Sequence, residues 1–166
     1  GFFLAVEAIK KLQTQHPEIR LLVVGGSQKR LHSLQDQLGA SYDWIKFIGT
    51  VSDVERYFAA ADGFLFPSFS EAFALVEVEA AACGLPLFLT PHHGSEMILE
   101  NGINGRLLEF DVDSICLVLQ EFVEKKWLPQ PGVHLKKALD VHAYAENLTS
   151  ILCNAVPLKK EVPNAD

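Results

Sequence analysis

The sequence predicts an α/β fold, a doubly wound parallel sheet with helices on both faces. Two observations carry this. Short apolar runs alternate with helical patterns along the whole chain. The runs are also continuously apolar rather than alternating, as expected of strands covered on both faces in a parallel, Rossmann-like arrangement.

The elements follow in order. Phe2, Ala5, Val6, Ile9 and Leu12 recur at helical spacing, so 2–15 reads as an amphipathic helix. Ile19 to Val24 is a buried strand ended by Gly25 and Gly26. A helix over 28–38 turns Leu31, Leu34 and Leu38 inward, with Gly39 as its stop. Trp44 to Ile48 is the next strand, closed by Gly49. Ser52 and Glu55 have capping-box spacing for a short helix ending near Ala61. Gly63 to Pro67 is a strand, 73–83 a helix stopped by Gly84, Pro86 to Leu89 a strand, and 94–100 a short helix. Gly105 to Leu108 is the last strand, and 112–124 a helix with Ile115, Val118, Leu119, Phe122 and Val123 on one side. After Pro129 and Pro131 a long helix is expected over 133–153, then a loose polar tail from Pro157.

Size and charge bound the function. A chain of 166 residues is long enough for one domain, and a domain near this size buries about 68–70% of its unfolded surface. The formal charge of −7 argues against nucleic acid or an anionic membrane as a partner of the general field, but not against a local phosphate pocket. Cys83, Cys116 and Cys153 lack zinc spacing and read as free thiols of a reducing, cytosolic compartment. No apolar run reaches the ~20 residues that span a bilayer, and no signal peptide is recognised.

In doubly wound sheets, ligands bind at the carboxyl ends of the strands. The loops to watch are 25–28, 49–52, 67–72, 90–95 and 108–113. The loop after 63–67 reads Pro67-Ser68-Phe69-Ser70-Glu71 and feeds an alanine-rich helix, which Ser70 or Glu71 is expected to cap. The amides of that helix start suit an anion. Glu79 follows on the same helix, at most about 12 Å from Glu71 along the axis. That separation is too wide for a shared proton, but it suits hydroxyl bonds to two sugars flanking a diphosphate. Lying among Val76, Val78, Ala80, Ala81 and Ala82, Glu79 is expected to need a partner. On spacing alone, Glu71 as a dipole partner and Glu79 as a solvated helix residue is the commoner outcome. Glu77 is an equally placed carboxylate for which spacing assigns nothing.

The run from Ser68 to Pro86 holds Glu71, seven residues, Glu79, then alanines, Gly84 and Pro86. It continues through Thr90, His93-Gly94-Ser95-Glu96, Glu100-Asn101-Gly102-Ile103-Asn104-Gly105, Leu107-Leu108 and Asp111. With Phe47 to Val51 and Tyr57 to Asp62 upstream, this ordered set resembles the family-4 glycosyltransferases over roughly residues 1–155. The resemblance implies the nucleotide-sugar-binding, C-terminal half of a GT-B enzyme, with 1–155 as that domain and 156–166 as the tail.

By the same resemblance Glu71 bonds the donor sugar and is the catalytic-site carboxylate, and Glu79 bonds the ribose. The amides around Phe73, Ala74, Leu75 and Val76 face the diphosphate and ribose, and Val51 meets the base. His93, with His92, is a donor contact or an exposed loop residue. Gly25 and Gly26 are a close approach to ligand or an ordinary turn. Ser95 and Glu96 are expected to cap the helix behind them. The implied reaction moves a sugar from a nucleotide diphosphate donor to a hydroxyl acceptor with retention, in polysaccharide or glycolipid synthesis. It needs no cofactor, because the nucleotide-sugar is a substrate, and no metal.

The expected partners are the donor and an N-terminal acceptor domain outside this chain. The expected location is cytoplasmic, with membrane contact at the inner face only through other parts of the parent. The chain alone is expected to be inactive. Where the family has glycines this chain has Ala72 and Ala74, and the domain's first strand and the basic diphosphate clamp are expected before Gly1. Lys29, Arg30 and Arg106 are the nearest basic residues and read better as solvated surface. Two rival readings are a degenerate, non-catalytic nucleotide-sugar module and a sugar-nucleotide epimerase.

Overall fold

The computed structural model describes residues 1–39 and 42–130. The helix expected over 133–153 and the tail beyond it lie outside the described residues. Eleven elements follow in the order the sequence predicts: α1 (Phe2–Gln13), β1 (Leu21–Val24), α2 (Gln28–Leu38), β2 (Ile45–Gly49), α3 (Val54–Ala60), β3 (Phe64–Phe66), α4 (Leu75–Ala82), β4 (Leu87–Leu89), α5 (Ser95–Ile98), β5 (Gly105–Leu107) and α6 (Val112–Val123).

Among the described residues all strand pairing is parallel, in two sets: β1 with β2, and β3-β4-β5 with β4 in the middle. Position in the set decides burial. Every residue of the central strand β4 is buried, whereas β1 and β3 are half-buried throughout. Cover on both faces therefore holds fully only for β4. One apolar cluster joins the layers: Val6, Ile9 and Leu12 of α1, Trp44 and Ile45 at β2, Phe88 of β4, Leu108, and Ile115 and Leu119 of α6. The inward stripe of α6 packs along α1, which is why both helices are amphipathic.

Three capping expectations change. Helix α3 starts from Asp53, not Ser52, and Asp53 receives the Arg56 guanidinium at 3.1 Å instead of capping an amide. Helix α4 begins only at Leu75, with Ala74 at its N-cap and no side-chain cap, so neither Ser70 nor Glu71 caps it. Ala74 holds extended backbone (φ −93°, ψ 103°), which delays the helix. Helix α5 starts from Gly94 with no side-chain cap, and Ser95 turns back to His92. By contrast Ser27 and Asp111 cap α2 and α6 by accepting from Arg30 N and Ser114 N.

Among the described residues no helix is long and apolar enough to cross a membrane.

Candidate functional site

The carboxyl ends of β3 and β4 open into two loops, 67–74 and 90–94, and these are tied together. Thr90, fully buried, donates its hydroxyl to the Ser68 carbonyl at 2.6 Å. Gly94 lies against Phe73 so closely that a Cβ there would come within 2.9 Å of Phe73 Cδ2 and 3.2 Å of its Cα. The close approach requires a glycine, and it holds the segment after Glu71 against the turn that carries His93.

Beneath this junction sits a buried pair that spacing did not single out. Glu77 of α4 accepts from His92 Nε2 through Oε1 at 2.7 Å, with the two side chains 0% and 2% exposed. His92 Nδ1 in turn accepts from the Gly94 amide at 3.3 Å. An imidazole accepting at Nδ1 is neutral and carries its proton on Nε2, so the backbone of Gly94 sets the tautomer that Glu77 receives. Glu77 Oε2 is buried without a partner among the described residues. Burial pushes the Glu77 carboxyl above its usual 4.5; the interaction with His92 opposes the rise, and the Glu71 charge adds to it.

The expected site residues are distributed around this pair. Glu71 is half-buried in the loop four residues before α4, so the helical rise does not measure its distance from Glu79. Glu79 is exposed, which corrects the expectation that it needs a protein partner: its phase on α4 points to solvent. Leu75, at 68% exposure, shares that outer face, while Ala74, Glu77 and Ala80 form the buried one. The helix thus buries a carboxylate and exposes a leucine. Such an inversion is more informative about function than any scattered surface apolar residue.

Phe73 and His93 are exposed, Val76 and Val51 half-buried, and Ala74 buried. Gly25 and Gly26 both take positive φ, 97° and 82°, as a tight turn after β1 requires. Phe69 and Phe110 stack at 5.1 Å, largely in solvent, beside the same strand ends. The basic residues give little: Arg106 is held by Glu121 and lies 5.6 Å over Trp127. Lys29 and Arg30 are exposed on α2.

Chemically, this is a mouth with first-turn amides lacking intrahelical acceptors, two accessible carboxylates and a rigid turn behind them. It can accept hydroxyl hydrogen bonds and stabilise an anion.

The comparisons agree in kind. The chain is 32% identical to the D-inositol 3-phosphate glycosyltransferase of Mycobacterium marinum over 162 residues, 90% of this chain and 34% of that protein. It is 35% identical to sucrose synthase 2 of Arabidopsis thaliana over 103 residues, 58% of this chain and 13% of that protein. The chain therefore spans about a third or less of the length of these relatives.

Among solved structures, Anabaena HepE in complex with UDP-glucose aligns over 72% of this chain and 35% of its own, at 28% identity and a TM-score of 0.58. WaaG, a glycosyltransferase of lipopolysaccharide biosynthesis, aligns over 76% of this chain and 35% of its own, at 25% identity and a TM-score of 0.61. The sucrose-phosphate synthase of Thermosynechococcus elongatus, at 23% identity, shares the fold over 91% of this chain and 43% of its own, with a TM-score of 0.70. The model of one family, glycosyl transferases group 1, matches residues 1–148, and with it the parallel α/β layers and the strand-end mouth find their place: the chain belongs to the glycosyl transferases group 1 family.

Proposed function

We propose that this chain is the donor-binding, C-terminal domain of a retaining, family-4 GT-B glycosyltransferase. Residues 1–155 form the domain, and the parent enzyme adds an acceptor-binding domain that this chain does not contain. The observation that carries the reading is the meeting of the Glu71 loop and the His93 turn at the Gly94–Phe73 contact, beside the uncapped start of α4.

In this reading Glu71 receives hydroxyls of the transferred sugar, and Glu79 on the solvent face of α4 receives those of the ribose. The amides of Phe73 to Val76 meet the diphosphate, His93 flanks the donor, and Val51 borders the base. Negative charge grows on the departing nucleoside diphosphate, and a fixed helix start stabilises it without reorganising. The site needs no cofactor for this, because the nucleotide-sugar itself supplies the leaving group.

The similarity to HepE, whose structure holds UDP-glucose, supports a nucleotide-sugar donor. The parent enzyme works in the cytoplasm on a hydroxyl acceptor of polysaccharide or glycolipid synthesis, and this chain alone turns over little or none. The test is transfer by the parent enzyme with the anomeric configuration of the product read by NMR. Retention supports the reading, and inversion refutes it.

A second reading, a binding module that has lost catalysis, draws on Ala72 and Ala74. Neither adopts positive φ, so each alanine sits without strain, and Ala74 is buried. If the site is degenerate, glycines at both positions raise donor affinity. If it is intact, they leave it unchanged.

A further inference from the structure

Glu77 and His92 lie outside the residues that the donor-site reading uses, yet among the described residues they are two of the most buried polar side chains. We infer that the Glu77–His92 pair is a positioning device that locks the 91–95 turn, and through it holds Glu71 and His93 in place for the sugar end of a nucleotide-sugar. This rests on the donor-domain reading above and deepens it.

The chain of contacts is continuous. Glu77 Oε1 accepts a hydrogen bond from His92 Nε2–H, and His92 Nδ1 accepts one from the Gly94 amide. The His92 amide donates to Ser95 Oγ at 3.1 Å, and that hydroxyl donates back to the His92 carbonyl at 2.9 Å. Residues 92 to 95 are thereby wound into one turn, with His93 left exposed on its outside. Gly94 then abuts Phe73, two residues after Glu71. Phe66 of β3 closes the far side, edge-on to the His92 ring at 6.5 Å between centroids.

A leucine would fill this position of α4 with less desolvation, and a buried carboxylate with one unpartnered oxygen is costly. What the carboxylate adds is a fixed imidazole tautomer, hence a fixed acceptor for the Gly94 amide. Without it the Nε2 proton is buried with nothing to receive it. The ring then leaves its site, and the turn loses its hold on Phe73. The ionisable group that acts on Glu77 besides His92 is Glu71, from the loop after β3. Glu55 and Arg56 of α3 are exposed, as is Glu96 of α5.

The lock acts on the sugar end, so it separates two affinities. Bare nucleotide, held through Glu79, Val51 and the α4 amides, depends on it little. The extra affinity conferred by the sugar depends on it strongly. The experiment is calorimetric titration of the full chain with UDP, GDP and ADP and with their glucose conjugates, for wild type, Glu77→Leu, Glu77→Gln and His92→Asn.

For the nucleotide that binds, Glu77→Leu is expected to lower conjugate affinity about tenfold relative to the bare nucleotide, the scale of one lost hydrogen bond with a stranded donor. Glu77→Gln, whose amide oxygen still receives Nε2–H, recovers to within about threefold of wild type. His92→Asn keeps an acceptor for Gly94 but breaks with Glu77, and it follows Glu77→Leu; it carries the test if the leucine variant fails to fold. Nucleotide binding with an unchanged conjugate-to-nucleotide ratio in Glu77→Leu or His92→Asn overturns the positioning role and leaves the donor domain standing. Failure of the wild type to bind any nucleotide overturns both.

Discussion

Replacing Glu77 by glutamine removes an ionisable group that is 0% exposed while keeping its shape and one acceptor. Burial raises the native pKa of this carboxyl above 4.5, with Glu71 adding and His92 opposing. The native state therefore holds the Glu77 proton more tightly than the unfolded chain does. The stability this contributes is fully present below 4.5 and is lost as pH rises through the native value. Within that window one proton separates the two states, so wild-type stability falls relative to Glu77→Gln by up to about 1.4 kcal/mol per pH unit. Outside the window the two curves run parallel. Each kcal/mol of this difference corresponds to roughly 2–4 °C in Tm for a domain of this size. Urea denaturation of both proteins from pH 4 to pH 8, compared at equal m, reads the difference directly. A difference that stays flat, or one in which wild type gains on the variant as pH rises, refutes the argument that burial dominates at Glu77.

Other perturbations follow from the same geometry. In Gly94→Ala the new methyl meets Phe73 at 2.9 Å and 3.2 Å, the latter a backbone atom, so a loss of about 1–3 kcal/mol is expected in thermal or urea unfolding. In Gly105→Ala the Cβ would lie 2.1 Å from the Leu87 carbonyl oxygen, forcing β4 and β5 apart; a cost of about 3 kcal/mol or more is expected by urea unfolding, and wild-type stability would contradict the register. Glu71→Ala should weaken nucleotide-sugar binding about tenfold while sparing the bare nucleotide, read by calorimetry, as expected if its carboxylate receives only sugar hydroxyls.

Much of the architecture was legible in the residues. The Leu21–Val24 and Leu87–Leu89 runs are short and continuously apolar, as parallel strands between helices are, and both pair in parallel. Helices α1 and α6 declare their inner faces through Val6, Ile9 and Leu12 and through Ile115 and Leu119. Helix α4 does not. With Val76, Val78 and a run of alanines all round it, hydrophobic periodicity gives no phase, so Glu77 and Glu79 look alike. The phase is set by a contact fifteen residues away, the bond from His92. Spacing therefore pointed to Glu79 as the carboxylate in need of a partner, and the structure gives that need to Glu77. A buried helix position of this kind carries one signal in the sequence, the spacing of three that links Ala74, Glu77 and Ala80, and it speaks only once Leu75 is known to face outward. The caps misread at Ser52 and Ser70 have a similar cause. At α3 a local bond from Arg56 engages Asp53, three residues earlier, and at α4 the packing of Gly94 against Phe73 holds the segment before the helix.

The central claim is tested most directly by titrating this chain calorimetrically with UDP, GDP and ADP, in wild type and in Glu79→Ala. The donor-domain account predicts saturable binding of one nucleotide, weakened about tenfold by removal of the ribose-facing carboxylate. Absence of binding to all three, or binding that Glu79→Ala leaves unchanged, would contradict it.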